Sequence, residues 1–262
     1  MTCRNSPAIR AAVFDFDGTL FDTREAIVHS FQAALAERGH APVAREAILR
    51  RIGRPLFEMF LRLVPGVAGP EVEQLIEAYR RAFAPVAVAL SRPIEGLDRC
   101  VCDLKAAGVR LAIVTHRLSD GARLILDGFR LGSAFDAVFG LEHLERLKPD
   151  PTPIRQALGA VGIPPAQAVV VGDTPDDMRA GRAAGTWTVG IAARPRRRRL
   201  LLDAGAHRTA RTLVSVSRWV VPARSRHLSA LRRAPAGRQS CRDVTMSSAV
   251  LKMPSGPADR SS

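Results

Sequence analysis

The stretch "AAVFDFDGTLFDT", residues 11–23, places two carboxylates directly after a short apolar run. Residues two apart on a strand project to the same face, so Asp15 and Asp17 can converge on one point. The alternative is a β-hairpin, because the Asp-Gly pair is a strong turn signal. A hairpin needs a second strand after Gly18, whereas the following "TLFDTREAIVHSF" has a helical pattern. We therefore expect a buried strand that ends in two acidic groups.

Further along the chain, short apolar runs alternate with helical patterns. The apolar runs are mostly continuous and rich in β-branched residues, which is typical of parallel strands buried on both faces. The strands are expected at 11–15, 109–115, 135–140, 168–173 and 186–191, and the helices at 95–108, 119–132, 152–162 and 175–185. This alternation predicts an α/β fold with a doubly wound, Rossmann-like parallel sheet.

Residues 24–90 interrupt the alternation with helical patterns alone. An insertion directly after the first strand would lie above the carboxyl edge of the sheet, where α/β proteins bind ligands. We therefore expect a core domain formed by residues 1–21 and 92–215, and an all-helical cap subdomain at 22–91. Residues 216–262 are rich in Arg, Ser, Pro and Ala without periodicity, which predicts a disordered basic tail.

The net charge of +14 is unevenly distributed. Residues 1–193 carry a net charge of +1, whereas residues 194–262 carry +13. An arginine run such as 194–199 can provide salt-dependent affinity for nucleic acid, which keeps a nucleic-acid-associated protein open as an alternative of another class. The basic segment has no interleaved aromatic residues and no recognised module, so we expect no specific nucleic-acid partner.

Composition also bounds the cellular context. Apolar residues make up 47% of the chain, enough for a sizeable core, and no run approaches the roughly 18 apolar residues of a membrane helix. The first ten residues lack the apolar segment of a secretory signal, and the four cysteines show no zinc or redox spacing. We expect a soluble, cytoplasmic protein without a membrane partner, either a monomer or a homodimer.

Four short motifs follow one another in the order of a known family. They are "DFDGT" (15–19), "IVTH" (113–116), "LKPDP" (147–151) and "VVVGDTPDD" (169–177). In this order they resemble the haloacid dehalogenase-like hydrolase superfamily, and the resemblance covers about residues 11–192, including the helical insertion. The pattern is most similar to phosphoglycolate phosphatases with a small helical cap and to a pyrophosphate-cleaving relative.

The resemblance implies how the first two acids act. Asp15 would attack phosphorus and form an aspartyl-phosphate, a form of covalent catalysis open to carboxylates. Asp17 would protonate the leaving oxygen and later activate water. Family members that cleave other bonds lack a carboxylate at this position, so Asp17 favours phosphate-ester hydrolysis. A catalytically inactive scaffold is the alternative, and the intact motifs count against it.

The resemblance also implies a Mg²⁺ ion and a phosphate-binding set. Mg²⁺ would be held by Asp15, Asp173 and the backbone carbonyl of Asp17, with Asp177 in or next to its coordination shell. The phosphoryl oxygens would be bound by the side chains of Thr115 and Lys148 and by backbone N–H groups after Asp17, beginning with Gly18. Thr174, Asp176 and Asp177 have an alternative role as caps of the helix beginning near Pro175, and for Asp176 capping is the better interpretation. Asp22 and Thr23 are expected to cap the first helix of the insertion.

Two positions concern the leaving group. His116 stands where the family usually has Asn, and an imidazole can replace the amide as a donor with a pH-dependent charge. Arg54 lies in "RIGRPLFEMF" (51–60), where related caps present a substrate-facing loop, so it is a candidate contact for an anionic leaving group. Alternatively, Arg54 is a solvated arginine at the start of a helix and has no role in binding.

The sequence thus predicts a Mg²⁺-dependent phosphomonoester hydrolase that acts on a small soluble phosphate, phosphoglycolate-like. An inorganic pyrophosphatase, a sugar-phosphate phosphatase and a β-phosphoglucomutase-like enzyme remain open as alternatives. A cap that closes over the site would exclude water and select the leaving group.

Overall fold

The computed structural model of the protein describes residues 9–221. Within this range the strands are β1 (Ala11–Phe14), β2 (Phe21–Asp22), β3 (Arg92–Pro93), β4 (Arg110–Val114), β5 (Ala137–Phe139), β6 (Ala168–Gly172), β7 (Trp187–Ile191) and β8 (Arg208–Ala210). The α-helices are α1 (Arg24–Glu37), α2 (Arg45–Leu49), α3 (Leu56–Leu63), α4 (Pro70–Phe83), α5 (Leu97–Ala106), α6 (Ser119–Gly128), α7 (Thr152–Val161), α8 (Pro175–Ala184), α9 (Pro195–Asp203) and α10 (Leu213–Val220). Their order follows the predicted alternation of strands and helices.

Six of the strands form one parallel sheet in the order β5-β4-β1-β6-β7-β8. Strand β1 lies in the middle, and its Ala11 is in register with Arg110 of β4 and Ala168 of β6. Parallel strands need crossover connections, and helices α5 to α9 supply them. The predicted α/β fold with a doubly wound parallel sheet is confirmed.

The two faces of β1 are both buried, which explains its continuous apolar run. Ala12 and Phe14 belong to one apolar cluster, which includes side chains of α5, α6 and α10. Ala11 and Val13 belong to a second cluster, formed with side chains of α7 and α8. Successive residues of a strand face opposite sides, so each cluster takes every second residue. Helices therefore cover the sheet on both faces.

The insertion forms a four-helix layer, α1 to α4, that packs as one body with the core. Phe31 of α1 stacks on Phe60 of α3 with ring centroids 4.3 Å apart, and both belong to the same apolar cluster as Phe14. Strands β2 and β3 pair antiparallel, with Asp22 opposite Arg92. The two segments by which the chain enters and leaves the insertion, called the chain crossings, therefore lie side by side. These crossings coincide with the predicted domain boundaries, and we propose residues 22–91 as the cap subdomain.

The predicted tail boundary at residue 216 needs correction, because it cuts through helix α10. Leu213, Val216 and Val220 of this helix are buried at the helical spacing i, i+3, i+7, and Ser217 Oγ donates to Asp103 of α5 at 3.0 Å. A short apolar stretch among arginines has a weak pattern by itself and becomes a helix because α5 offers it an apolar face. The rest of the predicted tail, from residue 222, lies outside the described residues.

No helix in residues 9–221 is long and apolar enough to cross a membrane. Cys100 is buried in α5 with a free thiol, in agreement with the interpretation of its spacing.

Candidate active site

The site lies at the carboxyl edge of the three central strands. Asp15, Thr115 and Asp173 are each the first residue after a strand, β1, β4 and β6 respectively. The register pairs Phe14 with Ile113 and with Val171, so these strands end at nearly the same level. Since all three strands are parallel, their following residues meet at one edge. The structure thereby brings together three positions that are far apart in sequence.

Asp15, Asp173 and Asp177 form an acidic cluster at this edge. Each offers one carboxylate oxygen, and these oxygens lie within 4.8 Å of one another. Burial, together with the neighbouring carboxylates, raises the pKa of Asp15 to about 7 and that of Asp173 to about 8, although Lys148 lowers both. Like charges this close are stable in ionised form only with a cation nearby. The donor set, three hard oxygen ligands, suits a divalent cation such as Mg²⁺.

Lys148 supplies one positive charge to this cluster. Its Nζ donates to Asp15 Oδ1 at 2.8 Å, to Asp177 Oδ1 at 2.6 Å and to the Val114 carbonyl at 3.1 Å. The side chain is 4% exposed, so these ion pairs are poorly screened by solvent. Burial opposes the ammonium charge, but Asp15 and Asp177 outweigh it and hold the pKa of Lys148 above its usual value.

Asp177 combines the predicted cluster role with the alternative capping role. Thr174 is the N-cap of α8, and its hydroxyl accepts from the Asp177 N–H, while the Thr174 N–H donates to Asp177 Oδ2 at 3.0 Å. This reciprocal capping box leaves Asp177 Oδ1 for Lys148. Asp176 takes no part in this capping box. Its carboxylate faces the helical insertion and pairs with Arg54 at 3.4 Å.

The turn after β1 corrects the prediction for Gly18. Its N–H donates to the Phe21 carbonyl at 2.7 Å and is therefore committed within the turn rather than free for a phosphate. Gly18 has a φ of +88°, and a Cβ at this position would lie 2.7 Å from Asp173 Oδ2. The residue is glycine because the turn needs a positive φ and Asp173 needs the space.

Asp17 lies outside the acidic cluster and has partners of its own. Asp17 Oδ1 accepts from Thr23 Oγ1 at 2.5 Å and from an Arg117 terminal nitrogen at 2.7 Å, and Oδ2 lies 3.2 Å from Arg117 Nε. Thr23 was expected to cap α1, but its hydroxyl makes no cap bond and is used here instead. The carboxylate of Asp17 is thus oriented by two donors.

Sequence reasoning missed Arg117 and also Arg197, which donates to Asp173 Oδ2 at 3.1 Å; Arg117 is the more deeply buried of the two. Its side chain is 8% exposed, and its guanidinium lies 4.6 Å from the centroid of the Phe83 ring. Burial opposes its charge, but Asp17 and Tyr79 hold its pKa above the usual value. The available signal was its place two residues beyond the strand-end Thr115, together with the need of a buried Asp17 for a cation.

His116 also differs from its predicted role. Its Nε2 accepts from the Lys148 N–H at 3.1 Å, so Nδ1 carries the proton and donates to the Gly53 carbonyl at 2.8 Å. Burial lowers the pKa of His116, and Lys148 lowers it further, which favours this neutral form. Both ring nitrogens are engaged by the protein, so His116 connects the cap loop to the Lys148 loop rather than donating to a leaving group.

A cavity of about 500 Å³ separates the cap from the cluster. Asp15, Asp17 and Thr115 line its core side, and Arg54 lines the cap side. The Thr115 Oγ1 accepts from the Arg117 N–H at 3.1 Å, which leaves the hydroxyl proton available to a ligand. The cavity thus connects the nucleophile candidate Asp15 with the helical insertion.

A parallel α/β core with an aspartate–lysine cluster at its carboxyl edge and a helical layer over it defines a capped enzyme of the α/β class. Residues 12–191 match the family described as haloacid dehalogenase-like hydrolase. The chain therefore belongs to the haloacid dehalogenase-like hydrolase family. The resemblance inferred from the four motifs is confirmed, as is the prediction of a hydrolase of the phosphatase kind.

Individual relatives agree with this assignment. The chain is 36% identical over 184 residues to the pyrophosphatase PpaX of Bacillus velezensis, covering 70% of this chain and 83% of the relative. It is 31% identical to a phosphoglycolate phosphatase of Aquifex aeolicus, covering 69% and 83%. Among solved structures, CbbY from Rhodobacter sphaeroides in complex with phosphate superposes with a TM-score of 0.70 at 25% identity, covering 79% of this chain and 96% of CbbY.

Proposed function

We propose that the protein hydrolyses a phosphomonoester through a covalent phosphoryl group on Asp15. The observation that carries this proposal is the contact of Asp15 with Lys148 in a buried acidic cluster that opens into a ligand-sized cavity. An Asp15 oxygen forms a bond to phosphorus while the bond from phosphorus to the leaving oxygen breaks. Water then attacks the phosphoryl group and releases inorganic phosphate and the free carboxylate.

Lys148 and Thr115 support this step by contacts with Asp15 and with the substrate. The hydrogen bond from Lys148 Nζ to Asp15 Oδ1 orients the carboxylate, and the ammonium reduces its repulsion toward a phosphate dianion. The Thr115 hydroxyl lines the cavity beside Asp15 and can donate to a phosphoryl oxygen. Lys148 is buried, and its three hydrogen bonds fix its ammonium group beside Asp15.

Asp17 is the group that we assign to proton transfer. Thr23 and Arg117 both donate short hydrogen bonds to Asp17 Oδ1. Asp17 Oδ2 accepts a longer one, of 3.2 Å, from Arg117 Nε. We assign the proton to Oδ2, which gives it to the leaving oxygen and later receives one from the attacking water. The two donors on Oδ1 keep the carboxyl group aimed at the cavity.

A Mg²⁺ ion fits the acidic cluster, with Asp15, Asp173, Asp177 and the backbone carbonyl of Asp17 as its proposed protein ligands. The raised pKa values of Asp15 and Asp173 support this fit, since they reflect carboxylates that a cation would stabilise in ionised form. When bound, Mg²⁺ neutralises negative charge on the phosphoryl oxygens as a Lewis acid.

The relatives guide the choice of substrates. One is named phosphoglycolate phosphatase, and CbbY was solved with phosphate, which supports a small organic phosphate. A pyrophosphate-cleaving activity is the second candidate, because the PpaX relative at 36% identity is named a pyrophosphatase.

Phosphate release from a panel of phosphate esters and pyrophosphate, with Mg²⁺ or with EDTA, tests the proposed function. We expect Mg²⁺-dependent release that falls by at least about a thousandfold in Asp15→Asn, because the nucleophile is lost. The same change at the exposed Asp203, far along α9, serves as the control and leaves release unchanged. Turnover by Asp15→Asn close to the wild-type rate, or full turnover in EDTA, would refute the mechanism.

The metal site has a test that does not depend on turnover. A ligand that binds the folded state alone raises its stability by mass action, so Mg²⁺ is expected to raise the midpoint of thermal unfolding. Asp173→Asn removes one proposed ligand and should abolish most of that increase, whereas Asp203→Asn should retain it. An equal increase in all three proteins would remove Asp173 from the metal site.

A further inference from the structure

The walls of the cavity between cap and core are largely apolar. Apolar side chains of both parts line it, among them Ile27, Leu56, Phe57, Ile76, Phe83 and Leu124. Phe57 and Leu124 are 38% and 39% exposed, so both are available to a ligand, and together with the other apolar lining residues they form a contiguous apolar surface. A volume of about 500 Å³ is of the size that holds drug-like molecules. Phosphoglycolate carries merely a carboxymethyl group beyond its phosphate and would leave most of this space unfilled.

The arginines around the cavity each have a carboxylate partner, and the Asp176 carboxylate is shared between Arg54 and Arg179. Among the described residues that line the cavity there is no lysine, and each arginine forms an ion pair: Arg54 with Asp176 at 3.4 Å, Arg80 with Glu77 at 2.7 Å and Arg117 with Asp17 at 2.7 Å. The imidazole of His116 uses both nitrogens within the protein and is held neutral by its lowered pKa. The cavity therefore offers little to balance a second anion on the substrate.

Two further carboxylates make the cavity still less suited to an anionic leaving group. Asp120 and Glu142 line it on the core side, and Asp120 is exposed. A carboxylate of the substrate placed among these groups and the apolar walls would lose its hydration without gaining a counterion, which is costly. An uncharged apolar group gains free energy from leaving water at the same place.

We propose that the substrate is a phosphomonoester whose alcohol part is uncharged and predominantly apolar, of the size of a benzyl group or larger. This inference rests on the proposed function, because the cavity selects the leaving group only if Asp15 holds the phosphoryl group. The phosphate then lies at the cluster, and the alcohol part occupies the space between Phe57 on the cap and Leu124 on the core. The inference departs from the phosphoglycolate-like substrate predicted from the sequence.

Binding of matched phosphonates to the Mg²⁺-loaded full chain tests the proposal without turnover. Benzylphosphonate, ethylphosphonate and phosphonoacetate share a methylene next to phosphorus and differ in a phenyl, methyl or carboxylate substituent. Calorimetry is expected to show benzylphosphonate binding at least about tenfold more tightly than the other two, because apolar contacts of this size contribute that much. Equal or tighter binding of phosphonoacetate overturns the proposal, and so does an absence of binding by benzylphosphonate.

Two substitutions to arginine on α3, one inside the cavity and one outside it, test whether the cavity causes the preference for an apolar ligand. Phe57 lines the cavity, whereas Leu61, one turn further and 49% exposed, does not. Phe57→Arg adds an unpaired cation to the cavity and removes an apolar surface, so it should shift the ratio of the two affinities toward phosphonoacetate by at least roughly tenfold. Leu61→Arg should leave the ratio unchanged. Equal ratios in both variants overturn the proposed location.

Hydrolysis of benzyl phosphate and phosphoglycolate separates this inference from the proposed function. Both are esters of primary alcohols, so their comparison reports mainly on the cavity. A higher kcat/KM for benzyl phosphate supports both statements, and a higher value for phosphoglycolate overturns the substrate inference alone. Tight binding of benzylphosphonate without hydrolysis of any ester would instead overturn the proposed function and leave the ligand class supported.

Discussion

The carboxyl group of Asp17 depends on Arg117 for its orientation. The guanidinium of Arg117 contacts both carboxylate oxygens, packs against Phe83 and is almost fully buried. Such a two-nitrogen contact is specific to arginine, since lysine presents a single ammonium group. In the proposed mechanism, Arg117 is therefore a positioning residue for proton transfer by Asp17 rather than a catalytic residue.

Replacing Arg117 by Lys keeps the charge and removes the two-nitrogen geometry. We expect kcat/KM to fall by roughly ten- to a hundredfold, mostly in kcat, with a changed pH profile of kcat, because Asp17 loses its fixed orientation. Steady-state kinetics across pH measure this. Arg123→Lys, at an exposed position of α6, is the control. Unchanged kcat and pH profile in Arg117→Lys would show that Asp17 does not need this partner.

His116 is expected to make stability depend on pH. Its pKa in the folded state lies below the ordinary value of 6.5, so the unfolded chain takes up a proton first as the pH falls. Stability is then lost as the pH decreases below about 6.5 toward the folded-state pKa. At higher pH the neutral imidazole retains its bonds to Gly53 and Lys148.

His116→Asn removes this titration. We expect the difference in unfolding free energy between wild type and variant to shrink as the pH falls from about 7.5 to about 5.5, because the unfolded wild-type chain gains a proton in this range and the folded one resists it. Urea unfolding at the two pH values measures the change. His29→Asn, at an exposed position of α1, should keep the wild-type pH dependence. A constant difference for His116→Asn across this range would contradict the buried neutral imidazole.

Helix α10 shows how an element can depend on its neighbour. It is eight residues long, too short to be stable by itself, and it forms because Leu213, Val216 and Val220 are buried next to α5. Helix α10 also approaches the start of α5 so closely that there is no room for a side chain at Gly96: a Cβ there would lie 2.4 Å from a Val214 methyl group. The apolar core therefore includes this helix, which extends beyond the boundary that composition suggested.

A pair of leucine substitutions tests the contribution of α10. Leu213 is fully buried, whereas Leu202 of α9 is 44% exposed. Leu213→Ala should lower the free energy of unfolding by about 2–5 kcal/mol, because it leaves a cavity in the apolar cluster. Leu202→Ala should change it by less than about 0.5 kcal/mol. Urea unfolding measures both, and equal effects would mean that α10 does not contribute to the core.

At the scale of the whole molecule, the net positive charge is concentrated in the last part of the sequence and reaches the candidate site through Arg197, which pairs with Asp173 at 3.1 Å. Residues 194–221 carry a net charge of +7, and the residues beyond 221 carry +6 in the sequence. Charge of this kind produces sequence-independent, salt-dependent affinity for polyanions. It provides no argument for specific recognition.

A chain ending at Val221 is expected to keep the kcat/KM of the full chain within about twofold and to lose part of its retention on heparin, because residues 194–221 keep a net charge of +7. The full chain should lose the same retention as salt increases, because its polyanion affinity arises from ion release. Chromatography over a salt gradient and the phosphate-release assay measure the two properties. Loss of activity on truncation would show that residues beyond 221 contribute to the site.

Local patterns were enough to predict much of this protein. The continuous apolar runs identified the strands because a sheet buried on both faces requires them, and Asp15, Thr115 and Asp173 could be assigned to one edge because parallel strands end there. Lys148 was assigned through its motif alone, and the structure adds its contacts with Asp15 and Asp177.

Tertiary structure decided which donor meets which acceptor. The Gly18 N–H is used by Phe21, the His116 nitrogens by Gly53 and Lys148, and Asp17 by Arg117. Periodicity and motif order carry no record of these pairings, because each joins groups that are placed by different loops. The cavity has the same origin: its apolar walls and paired arginines come from cap and core together, so the preference for a leaving group exists only once the two are packed.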